Sequence, residues 1–188
     1  MESIEMLMAV AMGLALAATC GLRAFLPLFA VGCMGALGKL DLADSFQWLQ
    51  QPIALVALGL AVIFEVAGDK FPVVDHFLDS AAVFIKPIAA MIASASVMAD
   101  MDPMFSTILG LVMGGSMAEG VHLLKMKTRV MSSAMTATVA NPFLSLFEDL
   151  IAVLATALSL LLPILVLFLA IVVGVWVLRH WKTREIKP

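Results

Sequence analysis

The chain has 188 residues, of which 63% are hydrophobic and only 13% charged, and its net charge is -3. With a mean hydropathy of +1.09, this composition excludes a water-soluble globular core, and the acidic balance excludes a nucleic-acid partner. The expectation is all-α: a polytopic transmembrane helical bundle surrounded by membrane lipids, one transmembrane domain over 1–188, since crossings of about 20 residues each use up the length.

The first apolar segment, 4–20, follows Glu2 and Glu5 where a signal peptide would be basic, so it reads as a retained first span. Segment 22–40 is apolar but holds Arg23, Pro27, Gly32, Gly35 and Gly38; that mix fits either a full span with a weak first turn or a re-entrant or broken helix, which Gly and Pro mark. Asp41 and Asp44 form a polar loop. Span 52–67 opens on Pro52, which suits a first helical turn, and ends in Glu65, Asp69 and Lys70. Asp75 and Asp79 follow at helical spacing. Span 81–98 carries Lys86, read as snorkelling to the surface. Span 104–124 contains the Gly110/Gly114 pair, which permits close helix packing, and places Glu119 and His122 on one face. Lys125, Lys127 and Arg129 close it.

Segment 130–140 is too short to cross and reads as a second re-entrant piece ending at Asn141-Pro142. The 143–178 stretch is charged only at Glu148 and Asp149. It is too long for one crossing, so Pro163 marks a hairpin or a kink. The whole is six spans plus two short or re-entrant helices, with the basic cluster after 124 and the C-terminal tail on the cytoplasmic side. A rough correspondence between halves 1–102 and 103–188 fits an inverted repeat. Trp48, Trp176 and Trp181 fall near span ends, as interfacial anchors do. Cys20 and Cys33 read as ordinary thiols in apolar segments.

A charge at bilayer depth costs several kcal/mol by most scales and so needs a partner, a cavity or a function. The candidate ion- or substrate-binding residues are Glu65, Asp69, Glu148, Asp149, Glu119, Arg23 and Asn141. Supporting residues are Lys70, Asp75, Asp79, His122, Lys125 and Arg129. Glu65, Asp69 and Glu148 are hard oxygen donors that suit a divalent cation. Their structural reading is a set of ion pairs that pin helices together. Arg23 beside a broken helix can hold an anion or a lipid phosphate, or neutralise one of the acids. No resident cofactor is expected beyond that cation. HExxH, Walker A and nucleophile-elbow motifs do not occur, which argues against an enzyme.

The elements GLRAFLP at 21–27, EVAGDKFPVVDHFLD at 65–79 and KMKTR with NPFLSLFED within 125–149 resemble an uncharacterised bacterial integral membrane protein family, domain of unknown function 4126. The resemblance spans nearly the whole chain and implies an inner-membrane, multi-pass fold without assigning an activity. Residues 65–70 are also similar to the E-x-G-D-K-T/S signature of calcium/manganese cation–proton antiporters, whose acids bind the cation; here one extra residue precedes Gly68, and Phe71 stands in the hydroxyl position. The leading expectation is a small secondary transporter, cation- or proton-coupled, acting on an ion or small anionic substrate, with homo-dimerisation open. A lipid-phosphate (prenyl phosphate) carrier or scramblase and a structural or assembly protein are the alternatives.

Overall fold

The structure is a computed structural model that describes residues 3–69, 72–136 and 141–182, with side chains described at 3–69, 81–132 and 143–176. Its described residues are all helical or loop. In chain order the helices are α1 (Ser3–Cys20), α2 (Phe25–Ala36), α3 (Pro52–Gly68), α4 (Pro72–Ser96), α5 (Pro103–Leu109), α6 (Gly115–Thr136), α7 (Asn141–Leu161) and α8 (Pro163–Lys182), with a 3-10 turn at Asp44–Gln50 before α3. Proline opens α3, α4, α5 and α8, positions where its missing N–H costs nothing. At α5 the start is fixed further by Asp102, whose carboxylate accepts from the amides of Met104 and Phe105, both at 3.0 Å.

Helix α1 is the central element. It packs against α4, α6, α7 and α8, and its second half, from Ala11 onward, is almost entirely buried. Half of its residues there are Ala or Gly, so neighbouring backbones come close. The Gly110/Gly114 pair does what its spacing predicts: a Cβ on Gly110 would lie 2.6 Å from Ser94 Oγ of α4. Between α5 and α6 the backbone forms a π-helical turn over Gly110–Gly114, so α5 and α6 run on as one helix.

The interior combines many small and polar residues with a few leucines such as Leu16 and Leu49, while many large apolar residues point outward. Ala15, Ala17, Ala90, Ala93 and Ala118 are buried, whereas Ile53, Phe64, Phe84, Phe143 and Leu161 are exposed. That inversion suits an apolar solvent. Three helical stretches, Ser3–Cys20, Pro103–Ser132 and Phe143–Leu161, are long and apolar enough to cross a membrane. A fourth is the bent pair Asp44–Gln50 with Pro52–Gly68, turned by 68°. The apolar parts of α2, α4 and α8 (Phe25–Ala36, Ala81–Ser96 and Pro163–Trp176) are shorter.

One expectation about segments changes, and one choice is decided. The second re-entrant piece, 130–140, is not a separate element, because α6 continues unbroken to Thr136; 137–140 lie outside the described residues. At Pro163 the chain turns back: Ile151 and Leu158 of α7 and Val166 and Gly174 of α8 line the same groove, as a hairpin requires and a continuous kinked helix does not.

The tightest crossing is where α1 ends against α6. A Cβ on Gly21 would approach the Ala118 carbonyl and lie 2.6 Å from Val121 Cβ, whereas one on Gly120 meets nothing within 4 Å. Gly21→Ala is therefore expected to destabilise the protein by about 1–3 kcal/mol through overpacking. Gly120→Ala should be neutral or slightly stabilising. Thermal unfolding of the two variants in the same detergent checks this.

Candidate functional site

The site forms where α1 gives way to α2. Residues Gly21–Ala24 leave the helix, so carbonyls at the end of α1 and amides at the start of α2 lose their helical partners. Charged side chains from other helices supply them. The Glu65 carboxylate of α3 accepts from the amides of Ala24 at 2.7 Å and Phe25 at 3.2 Å. Lys86 Nζ of α4 donates to the Gly21 carbonyl at 3.0 Å, and Lys125 Nζ of α6 lies 3.5 Å from the Leu22 carbonyl. Arg23 Nη1 in turn donates to the Glu65 carbonyl at 3.1 Å, in the last turn of α3. The carboxylate at the start of α2 and the guanidinium at the end of α3 each match the helix dipole they meet.

The same cations meet in an ion network. Asp69, which follows α3, places Oδ2 2.6 Å from Arg23 Nη1, 3.2 Å from Lys125 Nζ and 2.8 Å from Arg129 Nη2. Arg23 also pairs with Asp149. Glu148 Oε2 accepts from Arg129 at 2.9 Å and lies 3.5 Å from Lys125. Among the described residues, Arg23, Lys125 and Arg129 face Asp69, Glu148 and Asp149, so three cations meet three carboxylates, while Glu65 and Lys86 hold backbone groups of the break. Arg23 is 1% exposed. Burial alone would raise the Asp69 pKa, but Lys125, Arg23 and Arg129 together hold it below the usual carboxylate range.

Beside the network lies a cavity of about 280 Å³, walled by Phe25, Phe64 and Ile85 and reached by Arg23, Glu65, Asp69, Lys86 and Lys125. Lys86 is buried at 3% exposure and touches His122 Nδ1 at 2.7 Å. It does not snorkel. On the far side of the α1–α6 crossing is a larger, almost wholly apolar groove of about 650 Å³ between α1, α6, α7 and α8.

These features define a class: a helical protein with helices long and apolar enough to cross a membrane, built around a charge-satisfied helix break. The chain belongs to the family described as Domain of unknown function (DUF4126), whose model matches residues 10–183. No curated protein and no solved structure matches it.

Of the candidates read from sequence, Arg23, Glu65, Asp69, Glu148, Asp149, Lys125 and Arg129 come together. The adjacent acids Glu148 and Asp149 both engage the network, one with Arg129 and one with Arg23. Lys125 and Arg129 are buried and paired, so they are not the loop charges that the orientation argument counted. Glu119 and His122 sit on the next turns of α6. The side chains of Lys70, Asp75, Asp79 and Asn141 lie outside the described residues.

The divalent-cation set Glu65, Asp69 and Glu148 does not gather around a common point: one carboxylate faces amides and the other two face arginine and lysine. Among the described residues no group of three or more His, Cys, Asp and Glu side chains has a metal-holding arrangement. Sequence reasoning undervalued Lys86. The signal was its place on the stripe 86, 90, 93, 97, whose other members are small buried residues.

Removing one partner of a buried pair costs about 3–5 kcal/mol, so Arg23→Gln should lower the thermal midpoint far more than Glu65→Gln, which keeps an acceptor for the α2 amides. The contribution of Asp69 is complete above its unfolded value of about 3.9 and disappears as pH falls through its lower folded value. Asp69→Asn should accordingly flatten the acid limb of stability. Unfolding midpoints of the three variants between pH 3 and pH 7 check both statements.

Proposed function

We propose that the protein is a small multi-pass secondary transporter of the bacterial inner membrane, coupled to protons and taking a small anionic substrate in the cavity beside Arg23 and Lys86. The observation that carries this reading is the satisfied helix break. Broken helices whose free amides and carbonyls face a cavity are a recurrent transporter binding site. Here Glu65 occupies the α2 amides, and a substrate carboxylate or phosphate can replace it there, with Lys86 and Arg23 close by. The cavity of about 280 Å³ limits that substrate to a small molecule.

Proton coupling is favoured over a metal cation because the carboxylates of the network are already committed to arginine, lysine or amide partners. Six crossings and an inverted repeat of halves 1–102 and 103–188 remain part of this proposal; the shorter apolar helices α4 and α8, added to the three long spans and the bent pair, supply the six. The absence of enzymatic activity is also part of it, supported by the lack of a catalytic motif.

The apolar groove supports a second reading, a prenyl phosphate carrier, in which an acyl chain lies between α1, α6, α7 and α8.

The test is ligand-dependent thermal stability of the purified protein in detergent. A ligand that binds only the folded state at 100 times its dissociation constant adds about 2.7 kcal/mol. Small organic anions are expected to raise the midpoint, with the shift lost in Lys86→Gln and unchanged in Gly120→Ala. A shift with a prenyl phosphate alone would replace this reading with the lipid carrier. A calcium or manganese shift lost in Glu65→Gln would replace it with the cation transporter. No shift with any of them would favour a structural or assembly role.

A further inference from the structure

Two buried polar atoms of α6 lie outside the ion network and have no hydrogen-bond partner among the described residues: His122 Nε2 and Glu119 Oε2. His122 is fully buried at 0% exposure. Its other ring nitrogen, Nδ1, lies 2.7 Å from Lys86 Nζ. A charged lysine has only donors, so Nδ1 accepts and the ring hydrogen sits on Nε2. A buried N–H without an acceptor costs about 1–3 kcal/mol, so its retention calls for a physical reason.

The helix supplies one. A Cβ on Gly115 would lie 3.5 Å from Pro87 Cβ, so this stripe of α6 faces α4. Glu119 and His122 are the next residues along the same stripe. Pro87 has no N–H to give to the Val83 carbonyl one turn earlier, so α4 lacks one helical hydrogen bond in this turn. A proton on Lys86 therefore has a line of polar groups leading away from the cavity: Nζ, the imidazole, and the carboxylate of Glu119.

We propose that Lys86, His122 and Glu119 form a proton-transfer path between the cavity and the inner face of α6. In each passage Lys86 Nζ gives a proton to His122 Nδ1. His122 Nε2 gives its own proton to Glu119 Oε2 across an intervening water, since the two atoms are not hydrogen-bonded to each other. One proton moves, and no net charge is created on the imidazole. Lys86 is then recharged from the cavity, and the ring resets by flipping. The other charges close to His122 are Lys125 and Arg129 of its own helix, and both are tied to Asp69 and Glu148. That leaves Lys86 as the proton donor. The path deepens the proton-coupled reading and names the groups that carry the proton.

The experiment is nitrogen-15 NMR of histidine-labelled protein in lipid nanodiscs, on a background in which His76→Gln and His180→Gln leave His122 as the sole histidine. The expected spectrum shows a neutral ring protonated at Nε2. The hydrogen there should exchange with deuterated water about 100-fold more slowly in Glu119→Gln and at the original rate in Glu119→Asp. A hydrogen on Nδ1, or exchange that is the same in Glu119→Gln and the parent protein, overturns the path. Because no transported substrate is needed, that failure leaves the thermal-shift result standing. A null thermal shift with Glu119-dependent exchange would instead retain the path and remove the transporter reading.

Discussion

The structure depends on one constraint: backbone polar groups exposed by the break between α1 and α2 must be satisfied inside an apolar bundle. Each unsatisfied amide or carbonyl in hydrocarbon costs several kcal/mol. Four residues, Gly21–Ala24, create the problem, and Glu65, Lys86 and Lys125 answer it from three other helices. Each of these side chains is a charge that then needs its own compensation. Burying one break thus recruits a network that reaches from α3 to α7.

The network is economical in its geometry. A single carboxylate oxygen of Asp69 is shared by Arg23, Lys125 and Arg129, and each of the three also reaches an acid of α7, Asp149 or Glu148. Arginine suits that post because its planar fork holds several acceptors at once while staying charged. Loss of any one member leaves its partners buried and unbalanced, so the cluster behaves as a unit.

Much of this was legible in the sequence. Charges isolated in apolar runs pointed to Arg23, Glu65, Asp69, Glu148 and Asp149, and the i,i+4 spacing placed Glu65 and Asp69 on one side. The Gly/Pro-rich segment after residue 20 marked the break. Spacing within a segment does not show which acid meets which cation across 126 residues, as Arg23 and Asp149 do. That long-range choice hid the capping role of Glu65 and made Lys125 and Arg129 look like loop charges. Lys86 was misread because a lysine near a span end reaches either outward or inward, and only the small residues on its own stripe distinguish the two. Segment 130–140 looked like a re-entrant piece because it is too short to cross and ends at Asn141-Pro142, yet α6 continues to Thr136.

For helices set in lipid, apolar burial supplies no driving force between them, and close backbone packing with polar contacts must hold the bundle. The alanine-rich interior around α1 gives close packing but little specificity, since one alanine face fits another in many registers. The charged cluster supplies the register. Its carboxylates are occupied by that task, which makes them poor carriers of a mobile ion. Outside those ion pairs, His122 and Glu119 of α6 each keep a buried atom with no hydrogen-bond partner among the described residues. A division follows between groups that hold the break closed and groups able to pass a proton beside it. Lys86 belongs to both: its ammonium holds the Gly21 carbonyl and touches the imidazole. Loss of its proton would therefore weaken its hold on the helix break, and that is the physical link by which proton movement and helix movement can be coupled in so small a protein.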